Sequence, residues 1–284
     1  MTVCIGAIQS DGKHPMILTV VDRKLTLYGG WFSHEGTVKF RAVHAEWVVY
    51  VAGDMSEAQP LQDAVERSLS KLKQNVIERV VAACRTAYMR ERRRMIERQI
   101  LTDYDVYNFK EYVTLRTKEP ELYKRINDVI KEEELNWNLL VAGFDKASQP
   151  HLFTITERGK ITYCDSQNFA VIGSGALAAT MYLASFPYLK RLEIGLAAFA
   201  VAAAKFFSET ASGVGESTIM TVMQPKQKRV LVLGDEDMKP FRKGWKGLAK
   251  IPEGMEKQFY RLIVGHLRLY DALPSDYQTL EPER

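Results

Sequence analysis

Cysteine is scarce: Cys4, Cys84 and Cys164 are the only three in 284 residues, and no two form a CxxC pair. That excludes a disulfide framework and a thiolate zinc site, and it suits a reducing, cytoplasmic compartment. The five histidines, His14, His34, His44, His151 and His266, show no HExxH or paired spacing, and the acidic residues form no compact ligand cluster. Neither a metal nor any other cofactor is expected. Long apolar runs are missing as well. The greasiest stretch, Ile194 to Ala204, is too short to cross a bilayer, and the opening Met1-Thr-Val-Cys-Ile-Gly lacks the basic flank and apolar run of a signal peptide. Nor is there a tail of one charge. The 39 basic and 35 acidic residues are intermixed, for a formal net charge of +4, a balance that points to neither nucleic acid nor a membrane surface.

What the chain does have is a 46% hydrophobic content, enough for a full core in one decorated domain. Val3 to Ile8 reads as a buried strand, and Ser10-Asp-Gly-Lys supplies turn chemistry. Met16 to Asp22 reads as the hairpin partner. Strand signals continue through Gly36 to Phe40 and Glu46 to Gly53. From Pro60 to Tyr88 apolar residues recur every three or four positions, which predicts one or two amphipathic helices. Residues 90–134 are polar with scattered helical spacing and no strong apolar face, and read as a helical insertion. Strands resume at Trp137 to Phe144, His151 to Thr156 and Ala170 to Gly173. A helix pair follows over Ala176 to Ala184 and Leu192 to Phe207, then strands at Ser217 to Met223 and Arg229 to Leu233. A tail rich in Lys, Gly and Pro closes the chain, with one helix near Met255 to Tyr270. The order of strands and helices suggests two antiparallel sheets enclosed by two helical layers, an α+β fold. Residues 1–239 would form the domain and 240–284 an extension.

The chemistry begins at the second residue. Methionine is readily trimmed before a small residue, which would leave Thr2 with a free α-amine. That amine has an unperturbed pKa of about 7.7–8.0, so an appreciable neutral fraction can take the hydroxyl proton at neutral pH. Downstream come Asp22 at the end of the partner strand, Lys39 in Thr37-Val-Lys-Phe, and Gly53 in Val-Ala-Gly-Asp. Farther on, Ile172-Gly-Ser174-Gly precedes the helix pair and Glu209-Thr-Ala-Ser212-Gly follows it. An ammonium beside a hydroxyl eases alkoxide formation, and a carboxylate orients that ammonium. A glycine N–H can donate to an oxyanion where a side chain would obstruct the carbonyl.

This set resembles the active-site segments of proteasome β-type subunits, members of the N-terminal nucleophile (Ntn) hydrolase superfamily. The resemblance covers about Thr2 to Met223 without the insertion. It implies a four-layer αββα sandwich, with Thr2, Asp22, Lys39 and Gly53 on its first four strands. Ser174 and Ser212 would hydrogen-bond the N-terminal amine, next to Glu209 where the family usually carries Asp. Side chains at Thr37, Val51 and Met55 would shape the pocket for the residue before the scissile bond, and Val51 and Met55 suggest an apolar preference. The implied activity is hydrolysis of a peptide or other amide through an acyl-enzyme, within a homo-oligomeric ring. No ATPase or regulator can be named from these residues. Two alternatives stand beside it: a catalytically silent scaffold or binding subunit, and a small-molecule Ntn amidase. The stretch Phe169 to Ala178, strand-like, then glycine-rich, then helical, superficially matches a dinucleotide fingerprint. It is set aside because no strand ending in an acidic residue separates the two helical stretches after it.

Overall fold

The structure, a computed structural model, describes residues 2–10, 15–27, 32–35, 38–44, 46–53, 55–133, 137–186, 189–225 and 230–248. The chain divides into two compact units, 1–241 and 242–284. The second is described only over 242–248, the end of a helix.

The first unit is built on two antiparallel five-stranded sheets. One contains β1 (Val3–Gln9), β2 (Met16–Asp22), β10 (Phe169–Gly173), β11 (Thr218–Met223) and β12 (Leu231–Leu233), in the order β10-β1-β2-β11-β12. The other runs in chain order through β5 (Phe40–His44), β6 (Trp47–Ala52), β7 (Asn138–Phe144), β8 (Pro150–Thr156) and β9 (Lys160–Tyr163). Every residue of β1 is buried, because the strand has a sheet on one face and a helix on the other. That explains why it reads as an apolar run rather than an alternation.

Between the sheets, Cys4, Ile8, Ile17 and Val21 pack against Tyr50, Leu140, Ala142 and Leu152. Outside the first sheet lie α5 (Ala176–Ala184) and α6 (Ile194–Ser208), and α6 lies against β1 and β2. The buried face of α6 is mostly alanine, including Ala197, Ala200 and Ala204, which lets the helix axis approach the strands closely. Outside the second sheet, Leu61 and Val65 of α1 (Met55–Leu69) and Val80, Cys84 and Tyr88 of α2 (Ile77–Gln99) cover Val49, Val51, Leu139, Val141 and Phe153. Each large side chain so buried contributes roughly 1.5–3 kcal/mol. The result is the expected α+β sandwich of four layers.

One polar cluster crosses the inter-sheet core. Thr19 Oγ1, Tyr50 OH and Thr221 Oγ1 close a buried triangle with sides of 2.5, 2.5 and 2.7 Å. The three hydroxyls satisfy one another, which removes the penalty of burying them alone. Burial pushes the Tyr50 phenol well above its usual range.

The insertion differs from the expectation of a region without an apolar face. It follows α2, which runs on to Gln99, and comprises a 3-10 turn at Leu101–Tyr104, α3 (Phe109–Lys118) and α4 (Pro120–Glu132). These elements share a small core of Ile96, Ile100, Leu101, Val106, Tyr112 and Ile126. Most of the apolar face is carried by α4, where Leu122, Tyr123, Ile126, Val129 and Ile130 recur at helical spacing between charged residues. Asn108 caps α3 by accepting from Glu111 N at 3.0 Å, and the Glu111 carboxylate receives Tyr107 N in return.

Two further differences concern boundaries. A short hairpin of β3 (Lys24–Leu27) and β4 (Phe32–Glu35) follows Asp22, and β5 begins at Phe40, so Lys39 stands just before its strand. The tail starts with α7 (Asp235–Leu248), whose acidic first turn suits a helix N-terminus while Pro240, Gly244 and Gly247 disguise it in the sequence. The helix expected near 255–270 lies outside the described residues, as does Thr37.

Candidate active site

Thr2 stands at the head of β1, a strand held on both edges. Val3 pairs with Gly173 of β10, and Cys4 pairs with Val21 of β2. The Thr2 carbonyl accepts from Gly175 N at 3.3 Å and from Ser174 Oγ at 3.2 Å, while Thr2 N donates to Ser174 Oγ at 3.1 Å. Gly173 makes this approach possible. Its φ is +98°, and a Cβ there would lie 2.3 Å from the Thr2 carbonyl oxygen.

Asp22 ends β2 and is fully buried. Its Oδ1 accepts from the Thr2 hydroxyl in a short contact and from Val3 N at 2.8 Å. Its Oδ2 accepts from Lys39 Nζ at 2.9 Å, Lys24 N at 3.1 Å and Gly215 N at 3.2 Å. Lys39, 1% exposed, also donates to Thr2 Oγ1 at 2.5 Å. A hydroxyl, an ammonium and a carboxylate therefore meet in a buried triangle, with backbone N–H groups filling the remaining lone pairs of the carboxylate. Such a pair is tolerated in an apolar interior only when its hydrogen-bonding capacity is met. The Lys39 carbonyl in turn accepts from Val51 N at 3.1 Å, which ties the lysine to β6.

The other sequence-predicted residues fall as follows. Gly53 follows β6 with φ +127°, a conformation that favours glycine. Val51 is fully buried in the layer between its sheet and α1. Met55 opens α1, and its side chain is outside the described residues. Ser212 is exposed in the turn after α6. Glu209 ends that helix and takes an ion pair from Lys205 at 2.5 Å.

Two groups near the triangle were not foreseen. Gly215, in the loop before β11, donates to Asp22, and Cys4 lies beside Lys39 and Asp22. Burial pushes the Cys4 thiol up to about 12, with the Lys39 ammonium opposing. It is an inert core thiol. Among the described residues no group of three or more His, Cys, Asp or Glu side chains could hold a metal, and no helix is long and apolar enough to cross a membrane.

Comparison with known proteins agrees with this architecture. Residues 124–204 match the proteasome subunit family model. A mutant of Anbu, a bacterial proteasome homologue, from Hyphomicrobium sp. strain MC1 superposes with a TM-score of 0.62 at 13% sequence identity, covering 92% of this chain and 97% of its own. No curated protein matches by sequence. The central part of the chain, residues 124–204, is thus similar to proteasome subunits, and over nearly its whole length the chain has the fold of a bacterial proteasome homologue.

Proposed function

We propose that the chain is a threonine-type amide hydrolase acting on peptides, with Thr2 as nucleophile once Met1 has been removed. The observation that carries this reading is the Lys39 ammonium, 2.5 Å from Thr2 Oγ1 and ion-paired to Asp22. The same pair of groups in mid-strand would be an unrewarded burial of charge. At the head of a strand, beside an amine that a single cleavage frees, it is a means of activating the hydroxyl.

While Met1 is attached, Thr2 N is a peptide nitrogen and cannot serve as a base. Its removal creates an amine that Ser174 Oγ, 3.1 Å away, can orient. The neutral amine takes the Oγ1 proton, directly or through one water, as Oγ1 attacks the substrate carbonyl. Lys39 stabilises the developing negative charge on Oγ1, and Asp22 holds Lys39 in line. The carbonyl oxygen becomes an oxyanion, for which the Gly53 N–H is the proposed donor; loss of one such donor typically lowers the rate by roughly 10²–10³. Collapse of the tetrahedral intermediate breaks the C–N bond, and the protonated amine of Thr2 gives its proton to the leaving nitrogen. Water then cleaves the Thr2 ester by the reverse proton path. Thr37, Val51 and Met55 are the proposed walls of the specificity pocket, and the character of Val51 and Met55 favours an apolar side chain.

Proteasome-family proteins typically form oligomeric rings, and self-association of this chain is part of the proposal, with residues 240–284 as an extension outside the hydrolase domain. A cytoplasmic location fits its cysteine usage. A second reading, a family member that keeps the fold without turnover, is favoured by one observation: the Glu209 carboxylate is committed to Lys205.

A peptidyl epoxyketone, which closes a ring onto the amine and hydroxyl of an N-terminal threonine, decides between them. The expected result is loss of Met1 and one adduct per chain by intact mass, abolished in Thr2→Ala and slowed on the order of 10²–10⁴-fold in Lys39→Ala. Retained Met1, or equal labelling of all three proteins, would refute the hydrolase reading.

A further inference from the structure

Only two lysines are fully buried among the described residues. Lys39 belongs to the site above; Lys205 does not, yet it is 0% exposed. It lies in the last turn of α6, where periodicity alone gives no reason for a cation. Its ammonium donates to Glu209 Oε1 at 2.5 Å, Gly215 O at 2.7 Å and Glu216 O at 2.9 Å, and sits 5.9 Å from the centroid of the Phe206 ring. Three acceptors match the three N–H groups of an ammonium. A buried charge so completely satisfied is a fixed feature of the interior rather than a side chain that happens to fold inward.

The two carbonyls it grips belong to the loop that enters β11. Gly215 N, on the other side of the same glycine, donates to Asp22 Oδ2 at 3.2 Å, on the oxygen that also receives Lys39. A glycine leaves both flanking peptide planes free to rotate, so this N–H stays on the carboxylate only if the next planes are anchored. Lys205 anchors them from the α6 side. Asp235 in turn accepts from Thr218 N at 2.6 Å and Ser217 Oγ at 2.5 Å, and Thr218 is itself paired with Asp22 across β11 and β2. The segment 215–218 is thus clamped by a cation on its carbonyls and by an anion on its donors, with Asp22 at the focus.

We propose that Lys205 is a positioning residue for the nucleophile: an internal ammonium, held by Glu209, that locks the 215–216 carbonyls so that Gly215 N–H orients the Asp22 carboxylate toward Lys39 and Thr2. The inference rests on Thr2 being the nucleophile, and it assigns the Glu209 carboxylate to the clamp rather than to the amine.

The test compares wild type with Lys205→Met, which keeps the unbranched stem of the side chain and removes its ammonium. Saturation kinetics with the peptidyl epoxyketone give kinact and KI separately, and glycine-selective nitrogen-15 labelling follows the Gly215 amide, which its carboxylate acceptor shifts downfield. The expected result is a folded variant whose kinact falls by about 10²-fold, as for a misplacement of about 1 Å, with KI within about twofold and the Gly215 resonance moved upfield. An unchanged kinact, or an unchanged Gly215 resonance, overturns the proposal. Should Lys205→Met not fold, Lys205→Ala is refolded with and without ethylammonium, which can refill the cage. Recovery of fold and labelling supports the assignment, and none with ethylammonium overturns it. A wild type that takes no adduct would sink the hydrolase reading instead, and the Gly215 resonance would still report whether Lys205 holds the loop on Asp22.

Discussion

The buried Lys39–Asp22 pair makes a quantitative prediction that separates stability from chemistry. In Asp22→Asn the side chain keeps its shape and loses its charge. One of its two oxygens also becomes an amide nitrogen, and whichever way the amide turns, that nitrogen faces donors: Thr2 Oγ1 and Val3 N on one side, or Lys39 Nζ, Lys24 N and Gly215 N on the other. The Lys39 ammonium, 1% exposed, loses its counter-charge. Removing one partner of a buried pair costs about 3–5 kcal/mol, out of a total of about 5–15 kcal/mol for a typical domain. At roughly 2–4 °C per kcal/mol for a domain of this size, Tm should fall by about 6–20 °C.

Lys39→Met should destabilise as well, by leaving the carboxylate without its ammonium. Asp22→Asn combined with Lys39→Met should be less damaging than the sum of the two, because neither charge is then left alone in the core. A coupling of about 1–3 kcal/mol is expected from urea denaturation of the four proteins. Epoxyketone labelling should behave differently: both single variants lose it, and the double variant recovers none. Additivity within about 0.5 kcal/mol would mean that the two groups do not form a buried pair in solution, and the argument for hydroxyl activation would go with it.

Three further outcomes follow from other parts of the molecule. Gly173→Ala should abolish labelling and lower stability by at least about 1 kcal/mol, because it combines strain at φ +98° with a Cβ 2.3 Å from the Thr2 carbonyl oxygen; intact labelling would contradict the close approach at Thr2. For His151, burial alone would push the imidazole down, but Asp165 at 2.7 Å and Asp145 at 3.6 Å outweigh it and hold it above its usual value. A raised folded-state value contributes stability that is complete below about pH 6.5 and is lost as pH rises through the folded value. Urea midpoints of wild type should therefore fall across that window more steeply than those of His151→Gln. Asp235 has the opposite sign. Burial pushes its carboxyl up, yet the Ser217 hydroxyl, the Thr218 amide and the Arg23 guanidinium hold it below its usual value. Its contribution is present above about pH 4 and is lost as pH falls further, so Asp235→Asn should show a shallower acid transition than wild type, and parallel curves would refute the assignment.

How much of this was legible in the sequence depends on how local each signal is. The strands β1, β2, β6, β7 and β8 announce themselves as apolar runs because both their faces are covered. The insertion has a readable face as well, Leu122, Tyr123, Ile126, Val129 and Ile130 of α4, but the dense charges between those residues and the polar flanks obscure it. The β3–β4 hairpin was missed because four-residue strands are too short for alternation to show. The candidate residues Thr2, Asp22, Lys39 and Ser174 stood out as a set, through their resemblance to the active-site segments of proteasome β-type subunits, since each alone reads equally well as an ordinary turn or strand residue. Lys205 and Gly215 did not. A lysine in the last turn of a helix reads as a solvated cation favoured by the helix dipole, and a loop of Gly, Val, Gly, Glu and Ser between 213 and 217 has no period. Their partnership exists only once the fold brings the end of α6 to the loop that enters β11.

On the proposed reading, the placement of Thr2 answers a difficulty that any N-terminal nucleophile must meet. Chain termini fray unless something ties them down, whereas catalysis needs a hydroxyl fixed to within a fraction of an ångström. Here the terminus is not a loose end attached to a rigid body. It leads the strand between β10 and β2, with register set by Val3 on Gly173 and Cys4 on Val21. One residue earlier, the Thr2 carbonyl is held by Gly175 N and Ser174 Oγ. Loss of Met1 removes none of these bonds, because all of them are made by atoms from Thr2 onward. The freed amine should therefore emerge in a site already formed, and a Thr2-led chain should match the Met1-retaining chain in Tm to within a few degrees while only the former reacts. A large drop in Tm on trimming would mean that Met1 itself holds the strand in register, and that the site forms in some other way.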